Sequence, residues 1–162
     1  MHNMDGKTII LATSLIVSNG VSIWLYLKNK KLTEALYIDS KQKERIKDLH
    51  DKLFQIQTVS LDYPYLEDNK FIDGWYDFKK KYHNNEDVLE DIKNKYLRYE
   101  QYCEMIFNLT SDAYKINCLD NEIEFKSWAR IHKEWWISPL EEHSNRDVYG
   151  DQLSDIIDKW IK

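Results

Sequence analysis

Glycine and proline are scarce in this chain, with four and two among 162 residues. A sheet protein of this length draws on both for its tight turns, so the shortage argues for long helices joined by short polar links. Cysteine is scarce as well. Cys103 and Cys118 form no C-x-x-C pair and are too few for a disulfide scaffold, which leaves reduced thiols in a cytosolic setting as the simplest reading. Also missing are H-E-x-x-H, a Glu-x-x-His pair for a bundle di-iron site, the G-x-S-x-G elbow, a Walker loop, a dinucleotide fingerprint and the H-x-E with P-C-x-x-C of zinc deaminases. The sequence thus points to no catalytic residue, metal or cofactor by motif.

A 43% apolar content is enough to build a core at this length, and one all-α domain with an appendage is expected. The formal charge of −5 is unevenly spread. Residues 32 to 162 hold 19 Lys and Arg against 27 Asp and Glu, a net −8 that phosphate backbones repel, so nucleic acid is not an expected partner.

The one long apolar run is "TIILATSLIVSNGVSIWLYL", Thr8 to Leu27, twenty residues without a charge and thirteen of them apolar. As a helix it would span about 30 Å, the hydrocarbon thickness of a bilayer. The apolar run continues past any small-residue cleavage site, and lysines follow the segment rather than lead it, so a retained anchor fits better than a cleaved signal peptide. Lys28, Lys30 and Lys31 outweigh Lys7 and the amino terminus, which predicts a single-pass protein with its C-terminal domain in the cytoplasm. Trp24 and Tyr26 would lie at the inner headgroups. Ser14, Ser18 and Ser22 recur every four residues, with Asn19 beside them, a spacing that suits close helix association in a homo-oligomer or with a protein partner.

After a flank at 1–7 and the span at 8–27, a juxtamembrane helix is expected over 28–58. Leu32, Ala35, Ile46, Leu49, Leu53 and Ile56 share one heptad frame, interrupted by Asp39 and Gln42, which reads as a weak coiled-coil or bundle seam. Its basic excess, eight against five over 28–52, suits a solvated face or anionic lipid. A helical bundle would occupy 59–162. Within it, 60–85 carries Pro64, Gly74 and seven aromatic residues without a clean period, and short aromatic-anchored helices are expected. Over 86–108, Leu89, Ile92, Tyr96, Tyr99, Cys103 and Ile106 keep a/d spacing with Asn85 as N-cap, and Cys103 reads as a small core residue.

The stretch "IHKEWWISPLEEH", residues 131 to 143, gathers histidines, glutamates and tryptophans, but helical geometry disperses them. In a helix from about Asn121, Phe125, Trp128, Ala129, Ile131, His132, Trp135 and Trp136 share one face, and Glu134 points away from His132. Ser138, Pro139 and Glu141 have the chemistry of a fresh helix start. His132 among Trp128, Trp135 and Trp136 is then a buried imidazole or, as the alternative, a ligand- or pH-sensing group. An enzymatic role would further need tyrosines and a carboxylate from another helix. A last helix, about Asn145 to Ile161, sets an acidic stripe of Asp147, Asp151, Asp155 and Asp158 against an apolar face of Tyr149, Leu153, Ile156, Ile157 and Trp160.

The order of parts, together with "YLRYEQYCEMIFN" and the late "EWW…Y…L…I" ending, resembles uncharacterised small single-pass bacterial membrane proteins with an N-terminal anchor and a helical cytosolic domain. The resemblance implies a plan and no chemistry. The expectation is a membrane-anchored helical interaction or regulatory protein; a reversed topology would instead suggest an envelope or phage-related component.

Overall fold

In the computed structural model, residues 6–119, 122–141 and 144–162 are described, those at 6–23 and 122–124 by backbone path alone. Every regular element among them is helical: α1 (Gly6–Asp62), a 3₁₀ turn (Pro64–Glu67), α2 (Asn69–Ile72), α3 (Trp75–His83), α4 (Glu90–Lys115), α5 (Glu122–Ile131), α6 (Lys133–Ile137), α7 (Asn145–Tyr149) and α8 (Asp151–Ile161). The fold class is all-α, as composition suggested. The chain divides into two units, residues 1–44 and 45–162.

In the first unit every residue from 24 to 40 is exposed. Among the described residues no helix is long and apolar enough to cross a membrane. Most of the Thr8–Leu27 span falls outside the residues whose side chains are described, as do all four association positions, Ser14, Ser18, Asn19 and Ser22.

The second unit begins in the last turns of α1, where the predicted seam becomes core: Leu49 and Ile56 are buried and Ile46 and Leu53 half-buried, whereas Leu32 and Ala35 of the same frame are exposed. Pro64 stops α1, since the residue before a proline is driven out of helical geometry, and Tyr63 accordingly leaves it at φ −132°, ψ 70°. Asp68 then opens α2 by accepting from the Lys70 amide at 2.8 Å.

Two asparagines correct the expected boundaries. Asn85 does not cap the start of a helix; it closes α3 in the left-handed region (φ 52°), where the Glu86 amide reaches back to Lys81 O at 3.0 Å. Consequently α4 starts only at Glu90, and Leu89 and Ile92 of the predicted line are exposed, while Tyr96, Tyr99, Cys103 and Ile106 are buried as their spacing predicts. Asn117 (φ 54°) ends α4 in the same way, with Cys118 N bonded to Ala113 O at 2.8 Å.

The core is aromatic. Tyr96 stacks between Phe71 and Phe78, each at 4.4 Å, and Phe107 between Trp135 at 5.1 Å and Trp136 at 4.9 Å. Three buried indoles also find acceptors, as buried polar groups must. Trp75 donates to Ser138 O at 2.8 Å, Trp135 to Glu100 Oε2 at 2.6 Å and Trp136 to Asp158 Oδ1 at 2.9 Å. No helix starts at Ser138. Its carbonyl is taken by Trp75, its hydroxyl by Lys79 at 2.9 Å, and Pro139 and Leu140 turn inward, so Ser144 caps the next helix instead.

Candidate functional site

One turn of α4 presents Tyr99, Tyr102 and Cys103, spaced i, i+3 and i+4, on a single buried face. Opposite them the expected continuous helix through residues 121–137 is interrupted: His132 leaves helical geometry (φ −99°, ψ 24°) and separates α5 from α6. The break is shallow. His132 N still bonds Trp128 O at 2.9 Å and Trp136 N bonds His132 O at 3.2 Å.

The interruption sends the His132 ring into the middle of the unit, where it is wholly buried. Tyr99 Oη lies 3.1 Å from Nδ1, and the Tyr99 and Tyr102 rings are each 5.6 Å from the imidazole. On the far side Nε2 faces Glu67 Oε1 at 3.6 Å, an ion-pair approach longer than a hydrogen bond, and Nε2 has no other partner. Glu67 itself accepts a short hydrogen bond from Tyr102. Thus the 3₁₀ turn, α4 and the α5–α6 break meet through one chain of polar groups, Tyr99, His132, Glu67 and Tyr102.

Electrostatics in this cluster follow burial first. Burial drives the Tyr99, Tyr102 and Cys103 protons up and holds all three neutral. For Glu67 burial also pushes upward, but the nearby His132 imidazole and the Tyr102 hydrogen bond outweigh it, and the carboxyl ends below its usual range. With Glu67 ionised, a neutral His132 carries its proton on Nε2 and accepts the Tyr99 hydroxyl at Nδ1. A doubly protonated ring would force Tyr99 to accept from Nδ1 instead.

A second acidic feature lies on the neighbouring face of α4. Glu100 is buried, and desolvation raises its carboxyl to about 7 despite the Trp135 indole and the Leu140 backbone, with Glu104 and Glu141 adding in the same direction. It lines a cavity of about 200 Å³ with Glu104, Glu141, Trp135, Asn145 and Tyr149.

The structure therefore divides the residues singled out by sequence. His132 has the tyrosines and the carboxylate that chemistry would require, but the tryptophans serve elsewhere: Trp135 binds Glu100, Trp136 binds Asp158, and half-buried Trp128 packs edge-on to Phe125 at 6.5 Å. The acidic stripe is split. Gly150 (φ 77°) leaves Asp147 on α7 and Asp151, Asp155 and Asp158 on α8, and Arg146 reaches across to pair with Asp155 at 2.7 Å and with Asp158. Among the described residues no set of three or more His, Cys, Asp or Glu is disposed to hold a metal. Sequence reasoning missed Glu67 and Glu100; the Tyr99–Tyr102 pair, one turn apart on the predicted apolar face, was the available signal. No family model matches the chain, and comparison with curated proteins and with solved structures yields no match either.

Proposed function

We propose that the chain is a single-pass, membrane-anchored helical protein whose cytoplasmic unit works by binding a protein partner or another copy of itself. The observation that carries this reading is the unbroken exposure of residues 24–40, which includes Leu25, Leu27, Leu32, Leu36 and Ile38. Helices of this length owe most of their stability to burial of an apolar face, and a helix that buries nothing within its own chain is marginal in water. A bilayer around Thr8–Leu27 and a partner along the following turns supply what the chain does not. The compact unit, acidic outside and closed by aromatic packing inside, suits a module that is held at the membrane and recognised there.

Alkaline carbonate extraction of membranes from cells making the full chain tests the anchor, and maleimide labelling tests its direction. The chain should stay with the pellet. An impermeant maleimide should label half-buried Cys118 only after permeabilisation, and buried Cys103 only after denaturation. Release by carbonate would remove the anchor, and labelling of Cys118 in intact cells would reverse the topology and favour an envelope component.

A second reading, ligand or pH sensing at His132, is favoured by the unpartnered Nε2 beside Glu67. Comparison of His132→Gln with the parent across pH 5 to 8 tests it. Sensing requires a partner-binding or conformational response to pH that the variant loses while its melting temperature is kept.

A further inference from the structure

We propose that the first unit pairs with a second copy of this chain, in parallel and in register, along a seam formed by Leu25, Asn29, Leu32, Leu36, Asp39 and Lys43. At 100° per residue these six positions fall within an arc of about 80°, and no other residue between 24 and 44 enters it. Their alternating spacing of four and three is that of a coiled-coil seam, with Leu25, Leu32 and Asp39 at d and Asn29, Leu36 and Lys43 at a. This frame differs from the one that joined Leu32 to Ala35, and it leaves Ala35 on the flank.

The three leucines are 45%, 57% and 60% exposed. Elsewhere on the same helix two aromatic side chains have partial cover from their own chain: Lys28 lies over Trp24 at 5.1 Å and Lys41 over Tyr37 at 4.9 Å. Tyr26, Leu27 and Ile38 are also exposed but fall at scattered angles, and only the leucines form a line along one face.

Two features select a second copy over an unrelated helix or a lipid surface. An asparagine at an a position is satisfied by an asparagine in the same layer of the partner, which an identical chain in parallel register supplies. Asp39 and Lys43 already pair at 2.7 Å within one chain. In the dimer each lysine also reaches the partner's aspartate, so the seam closes on a neutral ring of alternating charge, whereas a bilayer interior would have to desolvate both groups. The same register runs back through the sequence positions Ser22 and Ser18. The inference rests on the anchored reading for its direction, since copies inserted in one membrane enter with the same polarity.

Cysteine cross-linking of the full chain in native membranes tests it, in a Cys118→Ser background that keeps the inaccessible Cys103. Leu32→Cys and Leu36→Cys lie on the seam, and Glu34→Cys and Lys41→Cys lie opposite; all are exposed positions, so folding of the compact unit is not at risk. Mild oxidation should give a band at twice the monomer mass for the seam pair and monomer for the other pair, and Asn29→Asp should abolish the band from Leu32→Cys. Equal yields at all four positions overturn the proposal, as does monomer throughout while maleimide still labels each new thiol. Carbonate extraction of the same samples separates the two claims: seam cross-links in a chain that carbonate releases would sink the anchor alone, and retention without cross-links would sink the seam alone.

Discussion

Replacing Glu100 by glutamine should stabilise the protein at neutral and alkaline pH, although it removes a buried, hydrogen-bonded side chain. The folded carboxyl keeps its proton up to about pH 7, whereas in the unfolded chain it loses it near 4.5. Folding therefore takes up a proton between those values. Stability from this group is greatest below about 4.5, declines as pH rises and levels off above about 7. The decline, at about 1.4 kcal/mol per pH unit across that window, comes to about 3 kcal/mol.

Glutamine carries no charge to bury, and its amide oxygen can still accept from the Trp135 indole. At pH 4.5 the folded Glu100 is itself neutral, so the bond is alike in both proteins; at pH 8 the net cost of the buried charge already includes its bond to Trp135. The variant should thus gain about 3 kcal/mol at pH 8 and match the parent near pH 4.5, with the curves converging as pH falls. Urea unfolding of the full chain in a mild detergent, followed by near-ultraviolet circular dichroism at pH 4.5, 6 and 8, measures the difference. Groups common to both proteins cancel, including Glu67, whose lowered carboxyl contributes stability that is lost only as pH falls below its ordinary range. A constant difference at the three pH values would refute the account of a desolvated acid, and a larger loss at pH 8 than at pH 4.5 would reverse its sign.

Gly74→Ala should destabilise by about 2–3 kcal/mol in the same assay, because a Cβ there overlaps the Tyr96 hydroxyl oxygen and lies 3.2 Å from Phe71 O. Displacing Tyr96 disturbs a ring stacked on both Phe71 and Phe78. Arg146→Ala should lower the melting temperature only slightly, since Asp155 is largely exposed and Asp158 keeps the Trp136 indole, and most of that small loss should vanish at 1 M salt. A salt-independent loss would mean that Arg146 acts through packing. Gly150→Ala should also destabilise, by about 1–2 kcal/mol, even though the added methyl meets nothing within 4 Å, because φ 77° with ψ 152° suits glycine alone. An unchanged melting temperature would show that the α7–α8 junction relaxes freely.

Periodicity carried much of the fold into view before any coordinates. The buried line of Tyr96, Tyr99, Cys103 and Ile106 repeats at helical spacing, as do Leu153, Ile157 and Trp160 on α8, and such patterns need only local geometry to be read. What periodicity could not supply was where the helices break. Asn85 and Asn117 adopt positive φ, and Gly150 separates α7 from α8, each a single-residue event that leaves hydrophobic spacing intact. Ser138 and Pro139 read locally as a helix start, but the Trp75 indole, 63 residues away in sequence, takes the carbonyl and the segment folds inward. The candidate site was half legible for the same reason. His132 stood out on an apolar face, while Glu67, 65 residues earlier on a short 3₁₀ turn, has no sequence signature that ties it to a histidine.

The close approach of Gly74 and Tyr96 has an evolutionary corollary. The hydroxyl of one residue fills the volume that a methyl on the other would need, so the two positions are not free to drift separately. Removing the hydroxyl opens the space: Tyr96→Phe should rescue Gly74→Ala, losing only the 3.2 Å bond to Phe71 O. Related chains should accordingly carry Gly with Tyr, or Ala with Phe, and seldom Ala with Tyr. That exchange offers a test for kinship in sequences otherwise too divergent to align.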